Sequence, residues 1–339
     1  MTEHEPMKSS DRPVLSICIP TYNRADCLDN CLGSLERAIR RCNDQIEIVV
    51  SDNASTDRTQ DVVDAWKALL PIRYVRNAAN IGGERNFFSA ASHAKAEYVW
   101  IFGDDDDFEE FAVEEILRYV GMGYDVILSN YSSWSKDMEQ MITSNVMGRG
   151  YEEAYDDPDV ILSTFGILLG YISSMVVRKN ILFSASPSEY EVFVPYGFPF
   201  PFCVYCGMRK GARMAFIKTP MFRRRDYNGG FDGPDEAMRW LKFFSEGPAL
   251  VFEALGRKGY SRAAIRGAKN RTLSDFGIAN ILSRIDHIDR RSIRSMMYRH
   301  YQSSWRYWTV WLPLLVLPTR TIGLALRAYR CLRGGRSVP

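Results

Sequence analysis

Histidine is scarce in this chain, with four in 339 residues. Zinc sites take three or four Cys and His ligands at set spacings. The one close cysteine pair, Cys203-Val-Tyr-Cys206, has neither a second pair nor a histidine beside it, so a zinc centre is not expected. The seven cysteines (Cys18, Cys27, Cys31, Cys42, Cys203, Cys206 and Cys331) are odd in number and irregularly spaced. That excludes a disulfide framework and fits a reducing cytosol. The opening stretch MTEHEPMKSSDRP lacks the apolar core of a signal peptide. Long apolar runs are also wanting. Val160–Val177 carries no charge over 18 residues, but Ser163, Gly166, Gly170, Ser173 and Ser174 dilute it, and a buried helix, turn and strand is the expectation there. No glycine fingerprint follows the first apolar segment, where Thr21-Tyr22-Asn23-Arg24 stands instead. This excludes the dinucleotide-binding loop of dehydrogenases and argues against a glycine-rich nucleotidyltransferase loop. No nucleic-acid module accompanies the basic residues, so nucleic acid is not an expected partner.

What the chain does contain is ordinary globular composition, 46% hydrophobic and 25% charged. The net charge of +2 is unevenly spread. Residues 256–339 hold 17 Lys and Arg against Asp275, Asp286 and Asp289, whereas residues 1–255 hold 26 bases and 38 acids. An acidic body with a basic tail points to a polyanionic surface.

Strand and helix patterns alternate through the first hundred residues. Val14–Pro20, Ile46–Val50, Arg73–Val75 and Glu97–Phe102 read as strands; Leu28–Ile39, Thr59–Leu70 and Glu84–Ala94 carry helical spacing. Further strands are expected at Asp125–Leu128, Met175–Val177 and Met214–Ile217, the last closed by Thr219-Pro220. The pattern predicts an α/β fold with an open, mostly parallel sheet flanked by helices, and such sheets bind ligands at the carboxyl ends of their strands. Polar clusters fall at those ends: Thr21-Tyr22-Asn23, Ser51-Asp52-Asn53-Ala54-Ser55, and Asp104-Asp105-Asp106-Asp107. Four consecutive aspartates one glycine beyond a buried strand repel one another unless a cation or strong donors neutralise them. Mg²⁺ or Mn²⁺ meets that need, since such ions take one or two carboxylates together with substrate phosphates.

In that order and spacing, SICIPTYNR, IVVSDNASTDRT, NIGGERNF and YVWIFGDDDD resemble the inverting family-two glycosyltransferases of the GT-A fold. The G-G-x-x-N-F and F-G-D-D-D details are similar to the abequosyltransferase-like bacterial members, and the resemblance spans residues 14–230. It implies a nucleotide-sugar donor, a divalent metal and inversion at the anomeric carbon. Pro20, Thr21 and Asn23 would line the nucleoside pocket. Asp52 would accept a hydrogen bond from the base, with Asn53 and Ser55 shaping its loop, unless Asp52 serves as an Asx-turn or cap. Asn80, Arg85 and Asn86 would form a donor-side loop, with Arg85 toward phosphate. Asp104 and Asp106 match the ends of a D-x-D motif: Asp106 for the metal, Asp104 for ribose or metal, and Asp105 the spare donor-side carboxylate.

One departure stands out. The family places an acidic pair, whose carboxylate is the general base, where this chain reads Phe198-Pro199-Phe200-Pro201-Phe202-Cys203. Glu189, Glu191 and Asp226 remain as candidate bases, and a sugar-nucleotide-binding or scaffold protein with weakened catalysis is the alternative. Arg223, Arg224 and Arg225 could offset leaving-group charge.

The expected organisation is a loose arm (1–13), a catalytic domain (14–230) with donor (14–110) and acceptor (111–230) halves, a helical region (231–300) and an aromatic, basic tail (301–339). In that tail Trp305–Leu317 is too short, and broken by Pro313, to span a bilayer. Arg320, Arg327, Arg330, Arg333 and Arg336 follow it. Aromatic residues beside arginines suit the headgroup interface. The tail is therefore expected on the cytoplasmic face of the inner (plasma) membrane, facing a lipid-linked or oligosaccharide acceptor; a packed C-terminal helix is the competing reading.

Overall fold

In the computed structural model, which describes residues 12–42, 45–148, 150–226, 242–275 and 289–317, the first strand sets the frame. β1 (Leu15–Thr21) is buried along its whole length and has a parallel neighbour on each side. Those neighbours are β2 (Ile46–Asp52) and β4 (Tyr98–Ile101), and β3 (Ile72–Arg76) extends the sheet beyond β2. Strands buried on both faces read as unbroken apolar runs, and LSICI, IVV and YVWI are such runs. The connecting helices α1 (Ala25–Ile39), α2 (Thr59–Trp66) and α3 (Gly83–Ser92) match the alternation seen in the sequence.

Six further strands complete the sheet: β5 (Asp107–Phe108), β6 (Val126–Trp134), β7 (Met141–Thr143), β8 (Ala154–Tyr155), β9 (Met175–Arg178) and β10 (Met214–Arg225), with α4 (Ala112–Gly121) between β5 and β6. Their order is β3-β2-β1-β4-β9-β6-β10-β5, with β7 on β6 and β8 on β10. β9 runs antiparallel to both β4 and β6, so the residues just before it lie at the carboxyl end of β4. β10 is parallel to β6, which brings its last residues to the same edge. Thr21 pairs with Asp52 and Asp52 with Arg76. All the polar clusters therefore share one edge of the sheet.

Two strands run longer than their sequence patterns indicate. β6 continues to Trp134, and β10 passes through Pro220 to Arg225. Proline is admitted where the ladder is already broken, and the β10–β6 register shifts on both sides of Pro220. The uncharged run 160–177 resolves into α5 (Pro158–Phe165), short helical turns and β9. Among the described residues no helix is long and apolar enough to cross a membrane. Below the site, Trp100, Phe102, Phe108 and Phe222 form a buried aromatic core in which Phe102 stacks on Phe108 and Trp100 meets both edge-on.

The chain divides into a sheet unit, residues 1–161 and 167–228, and a helical unit, residues 162–166 and 229–339. Within the helical unit lie helices Gly247–Arg257, Arg262–Asp275, Arg290–Tyr301 and Leu312–Val316. Tyr301, Tyr307, Trp311 and Leu315 are buried, so the first part of the aromatic stretch belongs to this unit's core rather than to a free tail. Residues 318–339, with their five arginines, lie outside the described residues, as do residues 1–11 of the N-terminal arm. Inside the unit, buried Lys269 donates to Glu253 Oε1 (2.8 Å) and to the His300 carbonyl (2.6 Å), and His300 Nδ1 lies 3.1 Å from the same carboxylate.

Burial alone would raise the Glu253 pKa, but the hydrogen bonds from His300 and Lys269 outweigh it and hold the carboxyl at about 2. The folded value lies below the unfolded one, so this stabilisation is present above about pH 4.5 and fades as pH falls toward 2. Glu253→Gln should cost on the order of 1–2 kcal/mol at pH 7, less than for a fully buried pair because Glu253 is half-exposed. Urea midpoints at pH 7 and pH 3 check this; the gap between variant and wild type should narrow at the lower pH.

Candidate active site

The four aspartates begin three residues past the end of β4. Phe102 N–H still bonds the Cys18 carbonyl at 2.9 Å, and the chain then turns at Gly103. A side chain there would meet Asp105 Oδ1 at 2.9 Å and both Asp106 Oδ2 and Ser173 Oγ at 3.3 Å, so the turn leaves room only for glycine unless the carboxylates shift. Asp104 and Asp106 are 4% and 1% exposed, which is exceptional for aspartate.

Each is held differently. Asp106 Oδ2 accepts from Tyr171 Oη (2.7 Å) and Ser173 Oγ (2.6 Å), and its Oδ1 accepts from the Arg225 N–H (3.2 Å). Ser173 also accepts from Gly103 N–H (2.9 Å), and its own carbonyl takes the Trp100 indole N–H (2.8 Å). Asp104 Oδ1 accepts from Arg24 Nη1 (3.1 Å), which also reaches Asp105 Oδ2 (3.0 Å). Asp104 Oδ2 is buried with no hydrogen-bond partner. Burial pushes the Asp104 carboxyl up to about 6, against the pull of Arg24 and helped by Asp105. Burial and the Asp105 charge raise Asp106 as well, opposed by its Ser173, Tyr171 and Arg225 donors.

These residues fit a hard divalent cation. Two buried carboxylates lie two residues apart in one loop, and one of them keeps an oxygen without a hydrogen-bond partner. Among the described residues no group of three or more Cys, His, Asp or Glu is arranged to hold a metal unaided. Mg²⁺ and Mn²⁺ need only one or two carboxylates, since they complete their shell with water and phosphate oxygens.

On the other side of β1 the polar residues are largely committed to one another. Asp52 is fully buried; its Oδ1 accepts from Ser55 N–H (2.7 Å) and its Oδ2 from Tyr74 Oη (2.6 Å) and Arg76 Nη1 (2.5 Å). Both its oxygens are thus taken up, one by the loop after β2 and the other by β3. The residue facing outward is Arg76, which also donates to the Ser55 carbonyl (2.6 Å). Asn53 bonds Asn80 and Asn77 and accepts from Ile81 N–H, while Asn86 bonds Asn77 and both the hydroxyl and the carbonyl of Ser51. These amides brace the loop between β3 and α3. Asn23, at a left-handed φ of 51°, accepts from Thr56 N–H and donates its own N–H to Ser55 Oγ, and Thr21 and Pro20 are buried in the end of β1. Gly82 enters α3 at φ 89°, where a β-carbon would be strained.

Of the candidate bases, Glu189 closes a capping box on Ser186 at the start of α7 (Pro187–Tyr190). Glu191 forms a two-bond ion pair with Arg85 (2.9 and 2.7 Å), and Tyr190 stacks on Phe88 one turn along α3. That pairing, which joins the loop residue Arg85 to the segment after α7, lowers the Glu191 pKa and makes it a weaker base. Asp226 sits at the end of β10, next in the chain to Arg225, accepting from Arg224 Nη2 (2.9 Å) and Ser133 Oγ (3.2 Å). α8 (Pro199–Met208) opens where the acidic pair was expected, and its first turn holds no acid. Sequence reasoning passed over Arg24, Arg76, Tyr171 and Ser173. Arg24 belongs to the quoted SICIPTYNR segment, but Tyr171 and Ser173 reach Asp106 across 65 and 67 residues and leave no local spacing to notice.

Ser173→Ala leaves the Gly103 N–H without its buried acceptor and removes one donor from Asp106. Loss of such a bond typically costs about 1–3 kcal/mol. Thermal or urea unfolding of the variant should show that loss, whereas Ser174→Ala, which removes an oxygen bonded only to the nearby Tyr171 carbonyl (2.7 Å), should show less.

Comparison with known proteins agrees with this geometry. The chain is 31% identical over 244 residues to the abequosyltransferase RfbV of Salmonella typhimurium, covering 67% of this chain and 71% of that one. It is 27% identical over 143 residues to the GalNAc(5)-diNAcBac-PP-undecaprenol beta-1,3-glucosyltransferase of Campylobacter jejuni, covering 42% and 44%. The crystal structure of residues 1–349 of S. aureus TarS in complex with UDP-GlcNAc superposes with a TM-score of 0.57 at 16% identity, over 85% of this chain and 81% of that one. The model of the family described as "Glycosyl transferase family 2" matches residues 16–182, from β1 through α6 (Lys179–Leu182). With its GT-A-like sheet and its strand-end site, this chain belongs to glycosyl transferase family 2.

Proposed function

We propose that this glycosyltransferase is metal-dependent and inverting, and that it moves a sugar from a nucleotide donor to a lipid-linked saccharide in surface polysaccharide synthesis. The observation that carries the metal is the pair of buried carboxylates at the end of β4, one with an unbonded oxygen. Asp104 and Asp106 would hold Mg²⁺ or Mn²⁺, which when bound offsets charge on the diphosphate. Arg76 and the braced loops of Asn23, Asp52, Asn53 and Ser55 would frame the nucleoside, with Asn80 and Asn86 holding the donor-side loop and Arg85 free to exchange Glu191 for phosphate. Support for the acceptor comes from the Campylobacter relative, whose name includes PP-undecaprenol.

Inversion needs a single displacement. The acceptor hydroxyl oxygen bonds to the anomeric carbon, the bond from that carbon to the diphosphate breaks, and a carboxylate takes the hydroxyl proton. Asp226 suits that last task best among the three acids. It is next in the chain to the residue whose N–H holds Asp106, and its partners are a hydroxyl and one guanidinium. Glu189 is spent on a helix cap and Glu191 on Arg85. A donor-binding protein without turnover is the second reading, favoured by the acid-free first turn of α8.

Nucleotide release can be followed across a panel of nucleotide sugars with membrane extract as acceptor. Chelation should abolish it reversibly. Asp106→Asn should do so permanently while preserving the fold, since an amide replaces a carboxyl already reluctant to ionise. Asp226→Asn should lower turnover by about 10²–10⁴-fold with little change in donor affinity. Full activity in excess chelator would sink the metal, and unchanged turnover in the Asp226 variant would remove it as base.

For the membrane, the helical unit exposes Trp305, Trp308, Val316 and Leu317, and Arg306 lies over the Trp305 ring at 4.7 Å. Exposed indoles beside arginine favour an anionic headgroup layer. Because Tyr301, Tyr307, Trp311 and Leu315 are core, truncation at residue 301 would damage the unit itself. The double variant Trp305→Ser/Trp308→Ser is the cleaner probe. It should float less with anionic vesicles than wild type at equal thermal stability; equal flotation would leave these two indoles without a role at the membrane.

A further inference from the structure

Among the described residues, Arg24 joins two of the four aspartates by its side chain. Its Nη1 lies 3.1 Å from Asp104 Oδ1 and 3.0 Å from Asp105 Oδ2. It leaves the chain at the residue before α1, and its side chain is 48% exposed while that of Asp104 is 6% exposed. The guanidinium therefore reaches a buried charge from the solvent side and can withdraw without disturbing the core. A second cation at the loop, Arg225, has its backbone N–H on Asp106, its Nε on the Asp105 carbonyl and its Nη1 on the Lys136 carbonyl, which ties it to β10 and the backbone.

We propose that Arg24 is the resident counter-cation of the acid loop: in the donor-free protein its guanidinium neutralises Asp104 and Asp105, and a divalent cation must displace it to bind. This rests on the metal reading above. A dication and a guanidinium held on one carboxylate repel each other strongly in a desolvated site. Without donor, the metal therefore competes with an intramolecular charge that is always present. With donor, the diphosphate supplies both oxygen ligands for the metal and a new partner for the displaced guanidinium, whose fork suits phosphate. Tight metal binding is thereby made conditional on the donor, and the carboxylates stay neutralised in the resting protein.

The test is Mn²⁺ alone, titrated into the purified full-length protein without nucleotide and followed by the EPR signal of free Mn²⁺. Arg24→Gln and Arg24→Met should each bind Mn²⁺ about tenfold or more tightly than wild type, as expected for removing a unit charge a few ångströms away. Arg24→Lys, which keeps the charge, should stay near wild type. Without metal, the two neutral variants should melt below wild type, and Mn²⁺ should close that gap. Neutral variants that bind Mn²⁺ no better than wild type overturn the proposal. Should Asp104→Asn bind Mn²⁺ as well as wild type, or no form bind it at all, the metal reading fails and this inference falls with it.

Discussion

The site depends on keeping the Asp106 carboxylate in place where water cannot reach it. Three donors from two distant parts of the chain do this: Tyr171 and Ser173 just before β9, and the Arg225 backbone in β10. A buried carboxylate without such donors would protonate or swing out to solvent. Much of the fold follows from this need. The antiparallel insertion of β9 beside β4 brings Ser173 over Gly103, and the parallel pairing of β10 with β6 delivers Arg225 to the same edge. The first four parallel strands make the edge; the strands beyond them make that edge able to hold charge.

The donor half of the sheet was legible in the sequence because its information is local. LSICI, IVV and YVWI announce buried strands by composition, and the polar runs after them mark the strand ends. Residues at strand ends were harder to interpret than to find. Asp52 is taken up by Ser55, Tyr74 and Arg76, and Asn53, Asn80 and Asn86 bond other amides, Ser51 and neighbouring backbone. A sequence gives the position of an amide or carboxylate but not its hydrogen-bond partner, and the partner decides whether it faces a ligand. Tyr171 and Ser173 show the opposite case. They sit in an uncharged run where serine merely lowers hydrophobicity, and only the pairing of β9 with β4 gives them meaning.

The aromatic stretch was legible in character rather than in allocation. Tryptophan and tyrosine beside arginine suggest an interface, but the helical periodicity from Tyr301 to Leu315 also builds a core. The structure buries Tyr307 and Trp311 of that segment and exposes Trp305 and Trp308.

The path of β10 around Pro220 carries a consequence for heredity. From Ile217 to Arg223 the strand advances six residues while β6 advances three, from Ser129 to Ser132. Side chains alternate faces with period two, so an odd surplus of residues exchanges the two faces for everything that follows. Those three extra residues therefore decide which of the consecutive arginines turns toward Asp105 and Asp106 and which toward Tyr131 and Asp226. A lost or gained codon between 218 and 222 would exchange those roles while leaving every side chain present. Lineages carrying this site should then vary freely in which residues occupy that stretch and hardly at all in how many.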